Sequence, residues 1–111
     1  MNKYIVVFVT SGNRAEAKKL ARVLLEKKLA ACVNTVSPVE SVYWWKGKLE
    51  KAREFLLIVK TRKALLKKII FEVKKIHSYT VPEVLALPVA GGSKTYLAWI
   101  AESTKINKKK E

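Results

Sequence analysis

The sequence predicts an α+β fold, a sheet built in the order βαββαβ with one further helix at its C-terminal end, and three observations predict it. Two strands, Tyr4 to Val9 and Phe55 to Val59, are apolar on both faces, and such strands need cover on both sides. Proline is absent from these two strands but interrupts the other two, at Pro38 and Pro88. Because proline cannot donate to a ladder, the interrupted strands belong at the edges. The segments between them carry helical periodicity. A sheet with its first and third strands central is the ferredoxin-like sandwich.

The elements follow in order. After the strand Tyr4 to Val9, Ser11-Gly12-Asn13-Arg14 makes a turn. The first helix runs from about Arg14 to Lys28, with Asn13 as N-cap and Glu16 three residues on in a variant of the capping box. Ala17, Leu20, Ala21, Leu24 and Leu25 give it an apolar stripe. Ala31 to Val42 and Leu49 to Lys60 are the arms of a long hairpin around Trp44-Trp45-Lys46-Gly47, where Gly47 tolerates the positive φ of the turn. Thr61 is the expected N-cap of a second helix carrying Leu65, Ile69, Val73 and Ile76 and ending near His77. Gly91-Gly92 breaks the chain after the last strand, and Ser93 caps a final helix with Tyr96, Leu97 and Ile100. The 111 residues suit one domain, residues 1–104, followed by a basic tail, residues 105–111. Helices cover one face of the central strands, so the other calls for a partner chain and the fold is expected to form an oligomer whose sheets meet.

Charge is the most unusual bulk property. Twenty-three Lys and Arg against nine acids leave a formal +14. All nine acids are Glu, and Lys outnumbers Arg nineteen to four. The lysines fall in pairs on helices and in a terminal run, as solvated faces and tails do. A field of this size also attracts nucleic acid non-specifically. The one cysteine, Cys32, excludes an intrachain disulfide framework and fits a reducing compartment. The N-terminal apolar run is short and β-branched, a strand rather than a signal peptide, and no segment approaches membrane-spanning length. A cytoplasmic protein with no membrane partner is the expectation.

Several motifs carry a family resemblance. Leu29-Ala30-Ala31-Cys32-Val33-Asn34, Tyr43 to Glu50 (YWWKGKLE), Lys60-Thr61-Arg62, His77-Ser78-Tyr79-Thr80-Val81-Pro82-Glu83 and Tyr96 to Ile100 (YLAWI) stand in order over about residues 4 to 104. In these the chain resembles the CutA family of divalent-cation tolerance proteins. The resemblance implies a ferredoxin-like subunit in a PII-like homotrimer, cytoplasmic, and linked to tolerance of copper and other divalent metals. Copper ligands proposed in the family include the histidine matching His77, a histidine just before it and a cysteine late in the first strand. Here the latter two positions hold Ile76 and Val9.

The residues themselves offer two candidate sites. His77 and Cys32 are the only imidazole and thiol, the ligand types that copper and zinc prefer. One chain therefore cannot close a four-ligand N/S site, and a metal would be shared between subunits or held weakly by an open site. The plain alternatives are a His77 that meets the last carbonyls of its helix and a Cys32 buried as a small hydrophobe. The second site is a set of residues among apolar neighbours, Trp45, Glu54, Lys60, Tyr79 and Glu83, which the family resemblance places in an inter-subunit pocket, where it would bind a small anion or hydrated cation or form an interface ion pair. Trp44 and Trp45 point to opposite faces of the hairpin, with Tyr43 on the side of Trp45. No nucleophile elbow, Walker loop or dinucleotide fingerprint is present. A non-enzymatic protein needing no cofactor is expected. The alternatives are a PII-like small-molecule or anion-binding signalling module and a non-specific nucleic-acid binder.

Overall fold

The computed structural model describes residues 3–105; most of the basic tail lies outside them. Its elements are β1 (Tyr4–Ser11), α1 (Arg14–Glu26), β2 (Cys32–Trp45), β3 (Lys48–Arg62), α2 (Leu66–Ile76), β4 (Val84–Pro88) and α3 (Lys94–Ser103). The four strands form one antiparallel sheet in the order β2-β3-β1-β4. The proline-free strands are central and the proline-bearing ones are the edges, as the donor argument requires. Pro38 falls within the register shift between Val36 and Val39.

The core lies between the sheet and the first two helices. Val7, Val9, Leu57 and Val59 from the central strands meet Leu20, Leu24, Ile69 and Val73 from α1 and α2, all fully or almost fully buried. Among the described residues no element covers the middle of the other face of these strands, and α3 reaches only its Arg62 end. Val6, Phe8, Leu56 and Ile58 remain half-buried there, and Leu85 and Leu87 on β4 are 57% and 41% exposed. An apolar sheet face of this extent marks an interaction surface.

Caps and turns follow local chemistry. Asn13 Oδ1 accepts from the Glu16 N–H at 2.7 Å, and Ser93 Oγ accepts from the Tyr96 N–H at 3.2 Å. Lys46 and Gly47 take φ of 51° and 79° between the paired residues Trp45 and Lys48, a two-residue hairpin turn with both central residues left-handed.

Thr61 is not a helix cap. Pairing with β1 carries β3 on to Arg62 and turns Thr61 inward, where its hydroxyl donates to the Leu29 carbonyl at 2.6 Å. A 3-10 turn at Lys63–Leu65 then leads into α2, and neither helical segment has a side-chain cap. At its other end, α3 is held to β3 through Arg62, which donates to Thr104 Oγ1 at 2.8 Å and to the Thr104 carbonyl at 3.0 Å.

Candidate functional site

The site begins where β1 stops. β1 pairs with β3 as far as Ser11 opposite Phe55, so Glu54, the next residue of β3, has no strand partner on that side. Alternation sets Glu54 on the open sheet face with Val39, its partner in β2, and with Ser41 two residues beyond. Ser41 Oγ donates to Glu54 Oε1 at 2.6 Å, a diagonal cross-strand contact. The β1 side is filled by Tyr79 from the loop after α2, whose hydroxyl donates to Glu54 Oε2 at 2.8 Å. Glu54 is only 5% exposed, and a hydroxyl on each oxygen offsets the cost of burying its charge.

Tyr79 reaches Glu54 because of two neighbours. Gly12 leaves room: a Cβ there would stand 2.8 Å from the Tyr79 hydroxyl. His77 fixes the loop. Its Nε2 lies 2.5 Å from the Thr10 carbonyl, to which it donates, while Nδ1 accepts from the Tyr79 N–H at 3.1 Å. The two rings pack with centroids 4.7 Å apart. Glu16 completes the junction, accepting from Ser11 Oγ at 2.8 Å and from the Ser78 N–H at 2.9 Å, with Oε2 3.3 Å from His77 Nδ1. Burial works to raise the Glu16 pKa, but the bonds from Ser11 and Ser78 hold it below the ordinary carboxylate value.

Beyond this junction is a cleft of about 330 Å³ lined by Tyr43, Trp45, Ser78, Tyr79, Thr80 and Val81. Period-2 spacing puts Ser41, Tyr43 and Trp45 on one face of the β2 arm. Burial, and then the bond to Glu54 and its charge, push the Tyr79 phenol far above the usual range, so it remains a donor at any physiological pH. Glu83, at an exposed position in the same loop, is also held above the ordinary carboxylate value, by partial desolvation and then by the charge of Glu54. Glu54 with the Tyr79 and Ser41 hydroxyls is an all-oxygen set, suited to a weakly held, partly hydrated cation.

The structure thus joins Glu54 to Tyr79 and sets Tyr79 in one cleft with Trp45, whereas Glu83 takes part in neither the bond nor the cleft lining. Lys60 is not with them in the same chain. It lies six residues along β3 from Glu54, roughly 20 Å away, and donates to Asn34 Oδ1. A pocket that joins Lys60 to Glu54 therefore needs two chains. His77 and Cys32 are also apart. Cys32 lies opposite Lys60, four residues along β3 from Leu56, which pairs with Thr10, so roughly 13 Å along the strands and about 10 Å across them separate it from the His77 contact.

Each residue departs in part from its plain alternative. His77 caps α2 through its backbone N–H, which donates to the Val73 carbonyl at 2.8 Å, but its ring bonds Thr10 and Tyr79 instead of the last carbonyls. Cys32 is half-buried rather than buried, because it starts an edge strand on the open face. Among the described residues, no cluster of three or more His, Cys, Asp or Glu is placed to hold a metal ion. Ser41 and the packing role of Gly12 were not anticipated. The spacing of Ser41 from Tyr43 and Trp45 was the available signal for the first.

Comparison with known proteins agrees with the motifs. Residues 5–103 match the model of the family described as CutA1 divalent ion tolerance protein. The chain is 46% identical over 99 residues to the divalent-cation tolerance protein CutA of Archaeoglobus fulgidus, covering 89% of this chain and 96% of that one. It is 52% identical over 101 residues to the chloroplastic protein CutA 1 of Oryza sativa, covering 91% of this chain but 57% of the rice protein. It thus spans little more than half the length of its plant relatives. The crystal structure of CutA1 from Oryza sativa superposes with a TM-score of 0.90 at 50% identity, covering 95% of this chain and 96% of that one. The structure of the periplasmic divalent cation tolerance protein CutA from Archaeoglobus fulgidus gives 0.89 at 45% identity, covering 92% and 99%. These relatives are named as chloroplastic and periplasmic, so a cytoplasmic location does not follow from the likeness. No helix among the described residues is long and apolar enough to cross a membrane.

Proposed function

The chain belongs to the CutA1 divalent ion tolerance family, and from that premise we propose that it acts as a non-enzymatic homotrimer, binding divalent cations weakly at Glu54, which Tyr79 joins to the aromatic-walled cleft. One observation carries the reading. In a chain of formal charge +14, a buried glutamate is built into the open sheet face with a hydroxyl on each oxygen. A carboxylate has lone pairs to spare after accepting two hydrogen bonds, so a cation can be added without breaking the network. The donor set fits a hydrated ion better than a closed copper or zinc centre, which wants imidazole and thiolate.

A binding rather than a catalytic role is supported by His77, whose two ring nitrogens are taken by the Thr10 carbonyl and the Tyr79 N–H. It has no free nitrogen for a proton transfer or a metal bond. Association is supported by the uncovered apolar sheet face, and its threefold order follows the resemblance to the family. Copper(II) and manganese(II) titrated calorimetrically into metal-free protein test the proposal. Weak binding of both ions is expected, lost in Glu54→Gln and retained in Cys32→Ser. Loss in Cys32→Ser alone would move the metal to the thiol, and no heat with either ion would remove cation binding from the proposal.

A further inference from the structure

Two helices and the turn between α1 and β2 carry half of the formal charge. From Arg14 to Lys28 and from Leu66 to Ile76 there are ten Lys and Arg against three Glu, a net +7 of the chain's +14. All ten cations are exposed, whereas only Glu26 of the three acids is. Glu26 lies 3.8 Å from Arg22, and Glu72 is held by Lys27 and Lys75 at 3.1 and 3.6 Å. This helical layer faces away from the open sheet face, so it stays in solvent whatever covers that face.

An aromatic residue sits among these charges. Phe71 is 62% exposed on α2, one helical turn from Lys67, Lys68, Lys74 and Lys75. Lys75 Nζ stands 5.3 Å from the ring centroid. Beside it a groove of about 330 Å³ is lined by Lys27, Leu29, Lys67, Lys68, Phe71 and Glu72. An exposed phenylalanine flanked by lysines is useful where a planar group stacks while neighbouring charges meet its phosphates.

We propose that this helical face binds single-stranded nucleic acid without sequence preference, with Phe71 as a base-stacking contact and the lysines of α2 on the phosphates. Lysine rather than arginine suits this mode, because phosphate neutralisation needs point charge and not the planar fork that reads base edges. An anionic bilayer fits less well. An interfacial helix turns its apolar face to the lipid, whereas α2 turns Ile69 and Val73 into the core, both fully buried.

Fluorescence anisotropy with a short labelled oligothymidylate, read over a salt series, tests this. Phe71→Ala is expected to weaken binding about 5- to 150-fold, the loss of one base stack, with the salt slope unchanged. Lys67→Gln with Lys68→Gln should lower the slope by about 1.4, roughly 0.7 for each phosphate that is no longer neutralised. The matched control removes the same charge from the hairpin, Lys48→Gln with Lys51→Gln, and should change the slope far less. Equal effects of the two pairs would reduce the interaction to net charge and overturn the proposal. So would an unchanged affinity in Phe71→Ala, or binding to phosphatidylserine vesicles with none to the oligonucleotide.

Discussion

Gly12 and Tyr79 constrain one another, and the constraint can be measured. With a Cβ at Gly12 only 2.8 Å from the Tyr79 hydroxyl, Gly12→Ala must displace that hydroxyl from Glu54. Tyr79→Phe removes it outright. Each change leaves one oxygen of a buried carboxylate without its donor, at a cost of about 1–2 kcal/mol. Their effects should not add. In Tyr79→Phe the obstructing oxygen is gone, so adding Gly12→Ala should cost much less than it does alone, and a double-mutant cycle by urea denaturation would show the coupling. Full additivity would mean that Gly12 serves only its own backbone. None of this pairing was legible in the sequence, because Gly12 and Tyr79 lie 67 positions apart and a glycine before a helix reads as turn chemistry. Glu54 and Tyr79 were legible as polar residues among apolar neighbours, whereas the separation of Lys60 from them follows from strand register, which the sequence pattern leaves open.

At the scale of elements, periodicity and proline placement fixed the strand order, the first helix and the final cap, because each rests on local geometry. The start of α2 was misplaced for a nonlocal reason. Thr61 has the residue type of a cap, but pairing of Ile5 with Thr61 and Tyr4 with Arg62 extends β3 past it. Glu16 shows the same effect in reverse. Its position suggested a capping box, yet its carboxylate leaves the cap and ties α1 to Ser11 and to the loop at Ser78. The tie depends on pH. Because the folded-state pKa lies below the ordinary value of 4.5, the stabilisation is complete above the unfolded-state pKa and is lost as pH falls through the folded one. Glu16→Gln should therefore be less stable than the wild type by about 1–2 kcal/mol at neutral pH. The gap should close on acidification below about pH 4.5. A gap independent of pH in thermal melts would assign the loss to packing instead.

For the whole molecule, the decisive feature is the contrast between its two sheet faces. One is sealed by α1 and α2. The other presents Val6, Phe8, Leu56 and Ile58 with Val36, Leu85 and Leu87 at its margins, and Val36, Leu85 and Leu87 are 43%, 57% and 41% exposed. That surface was readable from the two-faced apolar strands, since the predicted helices can cover only one of their faces. Its consequence is quantitative. If three chains close over this face, light scattering should give three times the 12.6 kDa chain mass and hold that value on dilution, because an apolar interface is insensitive to salt and charge repulsion acts mainly between the outer helical faces. Ile58, opposite Phe8 and Asn34 in register, stands on the middle strands of the face. Ile58→Lys would bury an unpaired ammonium in each of the joined faces, a penalty of several kcal/mol per ion, and should yield monomers while the helical side of the core stays intact. A wild-type chain that runs as a monomer would leave the open face without its partner and remove the trimer. An Ile58→Lys protein that stays trimeric would place the contact at the strand edges, on β2 and β4, rather than between the sheets.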